Sequence, residues 1–347
     1  MHKIDNTFGL DVSAEEYLSL RSIEEAQRLL PTLKNKEYFI VGGGSNLLFT
    51  GDYRGTIVHC DIIRNLEVLE NLEYIDGEVL VKVPGSMVWD DFVKWCCEKG
   101  YWGVENLSYI PGEVGASAIQ NIGAYGVEVK DVITRVFTVE VATGNLRTFD
   151  VSECKYGYRE SIFKTELWQK YLVYAVEFKL SKKPQPKLEY KPLNSLFSSY
   201  LENLEVLDNP KNLDNCSGPS LIEIRDAIIN IRKEKLPEVG EIGSAGSFFK
   251  NPVVSTEEYE KLKSLYPTIP HFDAPNGVKI PAAWLIDNAG LKGHKIGGAQ
   301  VYEKQPLVIV NPGGATAKDV VALAQYVIDS VFRKYEVKLS PEVNYVN

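Results

Sequence analysis

Apolar residues recur at helical spacing in several parts of the chain. Trp89, Phe92, Val93, Cys96 and Cys97 occupy positions i, i+3, i+4, i+7 and i+8, which is one face of an amphipathic helix. The two adjacent cysteines are therefore predicted to lie in the core rather than to serve in redox chemistry.

Further helix starts are predicted where Ser or Thr stands three residues before an acidic residue, the spacing of a capping box. This spacing occurs at Ser13, Ser22, Ser220, Ser255 and Thr316. The last of these opens a long predicted helix over 317–334. Its apolar side is formed by Val320, Val321, Ala324, Val327, Ile328, Val331 and Phe332.

Strands are predicted at 55–60, 66–70, 79–83, 132–141, 146–150 and 171–180, from apolar runs and from the alternation of Val79, Val81 and Val83. A Pro- and Lys-rich connection at 182–192 and one rich in Asn, Asp, Pro and Gly at 207–219 are predicted loops, and the second is the predicted domain boundary. The mixture of strands and helices indicates an α/β or α+β protein.

A glycine-rich turn joins two apolar runs in the stretch Tyr38–Phe49. Three consecutive glycines, Gly42–Gly44, are followed by Ser45 and Asn46. Glycine permits positive φ and has no Cβ, so backbone N–H groups can converge on an anion such as a diphosphate. The stretch matches neither a Gly-x-Gly-x-x-Gly fingerprint nor a P-loop. From the residues alone, a phosphate-binding turn and a purely structural turn both remain open.

A second unusual stretch, 110–126, is dense in Gly, Ala and Ser and almost uncharged. Small residues allow close approach of backbone to backbone or of backbone to a flat ligand. A tightly packed structural loop and a wall against a planar cofactor are both consistent with this composition.

Composition and charge narrow the classes of function. The chain has 347 residues, enough for two or three domains, and its net charge of -9 argues against a general nucleic-acid binder. No apolar run approaches the ~20 residues of a membrane span, and the N-terminus does not resemble a signal peptide. Five cysteines, four scattered histidines and the absence of zinc-ligand spacing predict a reduced, cytoplasmic protein with no metal.

Three polar residues stand in settings that suit catalysis. Ser247 lies between Gly246 and two phenylalanines, where a hydroxyl could donate a proton in a dry site, although a turn serine bonded to its own backbone is an alternative. Arg159 lies among Tyr and Gly residues and could clamp a carboxylate, or form a structural ion pair. Glu342 follows Pro341 and is either a partly buried acid or a solvated tail residue.

Five motifs in order resemble the UDP-N-acetylenolpyruvoylglucosamine reductase (MurB) family, type I. They are Gly-Gly-Gly-Ser-Asn-Leu-Leu, Ile-Pro-Gly-x-Val-Gly-Ala with Gln-Asn-Ile-Gly-Ala-Tyr-Gly, Tyr-Gly-Tyr-Arg-x-Ser, Gly-Ser-Phe-Phe-Lys-Asn-Pro and a terminal Pro-Glu-Val. The resemblance covers the chain from about residue 5 to the end.

The resemblance implies an α+β fold: a two-lobed FAD-binding domain of the vanillyl-alcohol-oxidase type followed by an α+β substrate domain. The implied parts are 1–65 as the first FAD-binding lobe, joined by the C-terminal residues, 66–219 as the second lobe and 220–347 as the substrate-binding domain. Covalent-flavin relatives place a histidine beside the glycine turn, and this chain has none there, so FAD is expected to be noncovalent. The implied cofactor-binding residues are Gly42, Gly43, Gly44, Ser45, Asn46, Pro111, Gly112, Gly115, Ala116, Ser117, Gln120, Asn121, Gly123, Ala124, Tyr125 and Gly126.

The same resemblance implies a reductase of peptidoglycan precursor synthesis, and hence a part in cell-wall formation, cell shape and division. NADPH would be the hydride source and UDP-N-acetylglucosamine enolpyruvate the acceptor, with hydride added at C3 and a proton at C2. Arg159 and Glu342 would polarise the substrate carboxylate, and Ser247 would donate the proton. The implied substrate-binding residues are Tyr190, Lys235, Asn251, Lys279 and Gln305.

Two residues depart from the family pattern. Phe272 stands where the family has a substrate tyrosine, and Glu113 is larger than expected within the small-residue stretch. An oxidase of the same flavin fold, acting on an alcohol or a sugar lactone, is an alternative, as is a non-catalytic flavin-binding module. No nucleic-acid or membrane partner is expected, and a monomer is the expected state.

Overall fold

The computed structural model describes residues 1–62, 73–75, 77–206 and 218–347. The predicted strand at 66–70 lies outside the described residues, as does most of the predicted boundary at 207–219. The chain divides into two compact units. The terminal unit comprises Met1–Glu15, Gly44–Arg54 and Lys233–Asn347, and the central unit comprises Glu16–Gly43 and Gly55–Arg232.

Helices and strands are interspersed along the chain. The α-helices are α1 (Ile23–Leu29), α2 (Trp89–Lys99), α3 (Val114–Gln120), α4 (Lys191–Leu196), α5 (Ser198–Val206), α6 (Leu221–Lys235), α7 (Thr256–Leu265), α8 (Ala282–Asn288) and α9 (Ala317–Tyr335). The strands are β1 (His2–Lys3), β2 (Ser13–Leu20), β3 (Tyr38–Val41), β4 (Leu47–Phe49), β5 (Tyr53–Cys60), β6 (Glu73–Ile75), β7 (Glu78–Pro84), β8 (Gly123–Ala124), β9 (Val127–Glu128), β10 (Ile133–Glu140), β11 (Leu146–Asp150), β12 (Tyr171–Ser181), β13 (Gly243–Ser247), β14 (Val253–Val254), β15 (Phe272–Ala274), β16 (Gly277–Lys279), β17 (Lys295–Ile296), β18 (Ala299–Val301), β19 (Val308–Asn311) and β20 (Asn344–Val346). The sheets are mainly antiparallel, so the expected α+β class is confirmed. Within the described residues, no helix has both the length and the apolar character needed to cross a bilayer.

A five-stranded antiparallel sheet, in the order β11-β10-β12-β7-β6, forms the centre of the central unit. Helix α2 buries its apolar face beside it, with the Phe92 and Phe178 ring centroids 4.9 Å apart. Cys96 and Cys97 are buried and unpaired, which confirms their predicted place in the core. Burial raises the pKa of the Cys97 thiol to about 12.

The terminal unit contains two small antiparallel sheets, in the orders β13-β19-β18-β17 and β14-β16-β15. Strand β20 pairs in parallel with β4, with Asn344 opposite Leu47. Helix α9 begins at the predicted N-cap Thr316 and buries Val320, Val327 and Val331. Phe332 is 51% exposed, contrary to the prediction. It follows Val331 by one residue, roughly 100° around the helix, and so lies beyond the buried stripe.

The predicted helix at Ser13 is wrong, because Ser13–Leu20 forms strand β2. In the terminal unit, Ala14 pairs with His2 in this strand and is buried. A capping-box pattern spans only four residues, and pairing with a neighbouring strand overrides such a local preference. The prediction at Ser22 is confirmed, since its hydroxyl accepts a hydrogen bond from the Glu25 N–H at the start of α1.

Two further predictions need correction. The stretch 110–126 was interpreted as either a structural loop or a wall against a planar cofactor, with no helix in it, but Val114–Gln120 forms helix α3. Ser247 was considered as a turn serine, but Gly243–Ser247 forms strand β13. Ala, Gly and Ser show little periodicity because they contribute little apolar area, so neighbouring elements decide their conformation.

Candidate active site

Helix α3 lies very close to the central sheet because it is built from small residues. The Val114 N–H donates to the Met87 carbonyl at 2.9 Å, and the Gly115 N–H donates to the Gly85 carbonyl at 2.8 Å. A Cβ at Gly115 would come within 3.2 Å of the carbonyl oxygens of Gly85 and Val173. Glycine is therefore required here by packing.

The first two glycines of the turn lie against the start of this helix. A Cβ at Gly42 would come within 3.3 Å of both the Ala116 Cβ and the Glu113 Oε2, and one at Gly43 within 3.5 Å of the Gly112 Cα. The two small-residue stretches of the sequence thus meet in the central unit. The Cβ sides of both glycines are taken up by this packing, so it is their backbone N–H groups that would meet a phosphate of a dinucleotide such as FAD.

The third glycine is fixed by contacts in the terminal unit. Gly44 has φ +64°, and a Cβ there would lie 2.9 Å from the Asp5 carbonyl oxygen. The Thr7 N–H donates to the Gly44 carbonyl at 3.5 Å, and the Thr7 hydroxyl donates to the Ser244 carbonyl at 2.6 Å. The turn is thereby tied to the strand that carries Ser247. Thr7 was not identified from the sequence, because its role depends on contacts far apart along the chain.

Two of the three predicted catalytic residues are brought together in the terminal unit. The Glu342 N–H donates to the Phe248 carbonyl at 2.8 Å, directly after Ser247. The Asn46 side-chain amide donates to the Glu342 carbonyl at 3.3 Å, and the Asn344 N–H donates to the Asn46 carbonyl at 3.1 Å. The C-terminal segment therefore joins the serine strand to the end of the glycine turn.

Ser247 lies at an irregularity of strand β13. The pairing with β19 shifts register between Ser244 and Ser247, and Gly246 has φ +67°. Such bulges change the direction of a side chain and are common beside active sites. The next two residues, Phe248 and Phe249, are buried. Ser247 itself is partly buried, as a proton donor in a dry site would be.

The third predicted catalytic residue, Arg159, lies in the central unit at the tip of a tight turn. Gly157 and Glu160 exchange backbone hydrogen bonds of 3.0 and 3.1 Å, and Arg159 has φ +56°. Its guanidinium donates to the Gly123 carbonyl, and a Cβ at Gly123 would lie 2.7 Å from the Arg159 Nη1. Arg159 is thus attached to the predicted flavin-binding stretch. Its left-handed backbone conformation is unusual for a residue with a side chain and is typical of functional sites.

The rest of the predicted cofactor stretch follows the same region of the chain. Pro111 and Gly112 precede α3, Asn121 ends it with φ +47°, and Tyr125 and Gly126 turn between β8 and β9. The Ser117 hydroxyl donates to the Val114 carbonyl at 2.7 Å, and the Asn121 amide donates to the Gly157 carbonyl at 2.7 Å. These two buried side chains shape the stretch, and their assignment as cofactor contacts stays a prediction.

Tyr190 is linked to the same stretch within the central unit. Its ring meets that of Tyr125 edge to face, with centroids 5.7 Å apart at 86°. The Asn106 amide donates to the carbonyls of Tyr125, at 2.9 Å, and Lys187, at 2.8 Å. These hydrogen bonds therefore hold the connection in place three residues before the exposed Tyr190.

The other predicted substrate residues belong to the terminal unit. Lys235 is exposed at the end of α6, the Asn251 side-chain oxygen accepts from the Ala282 N–H at 2.9 Å, and Gln305 precedes β19. Lys279 lies opposite Phe272 in the β15–β16 pair, with its Nζ 5.8 Å from the ring centroid. Phe272 is 48% exposed, so its ring can offer a stacking surface without a hydroxyl.

One hydrogen-bonded histidine–glutamate pair beside the glycine turn was not predicted from the sequence. The His59 Nε2 lies 3.0 Å from the Glu113 Oε1, and both side chains are largely buried. The sequence marked Glu113 as unusual, but nothing in the residues around His59 indicated its partner.

Comparisons with known proteins define first the class of protein and then the family. A model described as a FAD binding domain matches residues 15–150, and one described as the C-terminal domain of UDP-N-acetylenolpyruvoylglucosamine reductase matches residues 237–346. The fold and these matches define a FAD-binding flavoprotein with a dedicated C-terminal domain. The chain belongs to the UDP-N-acetylenolpyruvoylglucosamine reductase family.

Individual relatives support this assignment. The UDP-N-acetylenolpyruvoylglucosamine reductase of Bacteroides fragilis is 45% identical over 343 residues, which is 98% of this chain and 97% of the relative. That of Porphyromonas gingivalis strain W83 is 41% identical over 98% of this chain and 96% of its own length. The crystal structure of the Thermus caldophilus enzyme matches with a TM-score of 0.64 and 22% identity, covering 99% of this chain and 96% of that one, and so supports the fold. The resemblance and the expected fold are thereby confirmed, whereas the three-part domain boundaries and the individual site residues stay predictions.

Proposed function

We propose that this protein is an NADPH-dependent flavoenzyme that reduces UDP-N-acetylglucosamine enolpyruvate to UDP-N-acetylmuramate in peptidoglycan precursor synthesis. Membership of the reductase family and the FAD-binding domain support this reading over an oxidase or a silent flavin-binding module. FAD, when bound, supplies the hydride chemistry between NADPH and the nucleotide.

One observation of the structure carries the proposal. The Glu342 N–H donates to the Phe248 carbonyl at 2.8 Å, which brings the proposed acid beside Ser247, and the Glu342 carbonyl accepts from the Asn46 amide of the glycine turn. The backbone of Glu342 thus links the residue that follows Ser247 to the end of the proposed phosphate turn. A purely structural turn would not require this combination.

The roles of the three residues follow from their chemistry. Ser247 donates a proton to C2 of the enolpyruvyl group from a site that buried Phe248 and Phe249 keep dry. Arg159 and Glu342 stabilise the charge that develops on the substrate carboxylate, and such oriented groups are typically worth about 3–4 kcal/mol each. Arginine suits this task because its planar fork matches a carboxylate.

The remaining groups complete the proposed site. Gly42–Asn46 hold the FAD diphosphate, and 109–126 line the isoalloxazine ring. Lys235 and Lys279 bind the substrate diphosphate, Tyr190 covers it, and Asn251 and Gln305 contribute polar contacts. The flavin is held without a covalent bond, since the glycine turn contains no histidine. We also infer the three domains 1–65, 66–219 and 220–347, a monomer and a cytoplasmic location.

An anaerobic flavin spectrum of the purified protein tests the proposal. Bleaching by NADPH, followed by recolouring with the enolpyruvyl nucleotide, is the expected result. If the flavin bleaches but does not recolour, the flavin domain is supported and the proposed substrate is excluded. A colourless protein that cannot be reconstituted with FAD would remove both.

The proton-donor role is tested separately by comparing the two half-reactions. Ser247→Ala should leave reduction by NADPH nearly unchanged while slowing reoxidation by the nucleotide at least about a hundredfold, the size of a typical acid–base contribution. Ser244→Ala, on the same strand, is the matched control. Equal losses in both half-reactions would exclude Ser247 as the proton donor.

A further inference from the structure

Glu113 and His59 form a hydrogen-bonded pair of titratable side chains beside the first glycines of the turn, in the central unit. His59 is the second-to-last residue of strand β5, which ends at Cys60, and Glu113 directly precedes α3. The His59 Nε2 and the Glu113 Oε1 are 3.0 Å apart, and the side chains are only 8% and 13% exposed. A pair so well enclosed is held in one geometry.

The Glu113 side chain lies across the face of the glycine turn. The position of a Cβ at Gly42 is 3.3 Å from the Glu113 Oε2, and that of a Cβ at Gly43 is 3.8 Å from its Cγ. The glutamate thus occupies space that the two glycines leave open. Within the described residues, the hydrogen bonds of its carboxylate are limited to the one with His59 at Oε1.

The other carboxylate oxygen of Glu113, Oε2, restricts which chemical groups can bind beside it. An ionised carboxylate only accepts hydrogen bonds. Phosphate oxygens are also acceptors, and they carry negative charge as well. Oε2 therefore needs a donor, and a phosphate cannot provide one. On each side of the diphosphate, a flavin dinucleotide carries hydroxyl groups, on ribitol and on ribose, and these are donors.

We infer that Glu113 is a cofactor-binding residue that accepts a hydrogen bond from a hydroxyl group of the flavin dinucleotide, and that His59 is a positioning residue that fixes the carboxylate. The inference rests on the proposed function, because it assumes a dinucleotide at Gly42–Asn46. It adds a hydroxyl-binding group to a turn otherwise suited to phosphate. It also explains why a large acidic residue is accommodated in a stretch of small ones.

The inference is tested by measuring ligand affinities of the full-length protein after its flavin has been removed. FAD, FMN and ADP are titrated separately, since FMN carries ribitol without ribose and ADP carries ribose without ribitol. Glu113→Ala should weaken FAD binding about tenfold or more, as expected for a hydrogen bond to a charged group. If Glu113→Ala also loses affinity for FMN but not for ADP, the donor is a ribitol hydroxyl. If it loses affinity for ADP but not for FMN, the donor is a ribose hydroxyl.

The positioning role of His59 has its own readout. His59→Leu should weaken FAD binding in the wild-type background but have no further effect in Glu113→Ala, because contacting residues are not additive. His59→Gln, which keeps a donor, should restore most of the affinity. Glu177→Ala is the matched control: it removes another largely buried carboxylate, paired with Arg135 at 2.7 Å in the central sheet, and should leave flavin affinity unchanged.

Two results would overturn the inference in distinguishable ways. If wild-type protein binds FAD but Glu113→Ala binds it equally or more tightly, the carboxylate is not a hydroxyl acceptor, and the proposed function stands. If wild-type protein binds none of the three ligands, the proposed function fails and this inference with it.

Discussion

Replacement of Gly44 by alanine should destabilise the protein through two separable effects. Gly44 has φ +64°, where a residue with a side chain costs roughly 1–2 kcal/mol. Its Cβ would also lie 2.9 Å from the Asp5 carbonyl oxygen and 3.3 Å from the Asn6 Cα, so the backbone must shift. Overpacking of this kind costs about 1–3 kcal/mol. We expect Gly44→Ala to lower the free energy of unfolding by about 2–5 kcal/mol in total.

Two other glycines separate these effects. Gly290 has φ +75°, but a Cβ added there would meet no described atom within 4 Å, so Gly290→Ala should show the conformational cost alone, about 1–2 kcal/mol. Gly43 does not have positive φ, and its nearest contact would be an ordinary 3.5 Å. Gly43→Ala should therefore change stability by no more than about 0.5 kcal/mol.

Guanidinium unfolding of the three flavin-free variants, beside wild type, provides the measurement. Flavin is removed first because a bound ligand would add its own contribution to stability. The contact with Asp5 is refuted as a source of instability if Gly44→Ala loses no more than Gly290→Ala. A large loss in Gly43→Ala would equally contradict the packing argument.

Three further predictions concern charge and reactivity. Burial alone would raise the pKa of Asp90, but the two 2.7 Å bonds from Arg225 and the Tyr109 N–H outweigh it and lower the pKa. Because the pKa of Asp90 is lower in the folded state than its unfolded value of about 3.9, the ionised carboxylate stabilises the fold above that pH, and this stabilisation is lost as the pH falls further. Asp90→Asn should therefore be less stable than wild type by about 2 kcal/mol or more at pH 7. In acid unfolding curves, this difference should shrink below about pH 4. Cys97, buried and with its pKa raised to about 12, should react with a thiol reagent only after unfolding, and rapid labelling of the native protein would contradict this. Arg159→Lys should reduce reoxidation by the nucleotide at least about tenfold in stopped-flow measurements, because an ammonium lacks the bidentate fork, and a rate equal to wild type would argue against carboxylate binding.

The sequence was most informative where one physical signal dominated a long stretch. Helices α2 and α9 were predicted because their apolar residues recur with helical period, and each buries that face. The family was also evident from five ordered motifs, since they preserve the residues that the resemblance assigns to the cofactor and substrate. Ser247, Arg159 and Glu342 were selected in this way.

Only the tertiary structure decided the conformation of segments with weak or conflicting local signals. Ser13–Leu20 carries a helix-start pattern but becomes a strand, and the small residues of Val114–Gln120 become a helix packed on Gly85 and Val173. Such residues bury little side-chain area of their own, so pairing and packing with distant segments determine their state.

The connections within the site were likewise set by the fold. The residues themselves identified Glu342 and Asn46 as candidates, but 296 positions separate them, and their hydrogen bond and the neighbouring β20–β4 pairing form in the folded chain. His59 and Glu113 are 54 positions apart and share no motif. Sequence determined the chemical groups available to this protein, whereas tertiary contacts determined which of them act together, because hydrogen bonds depend on distance in space and not on distance along the chain.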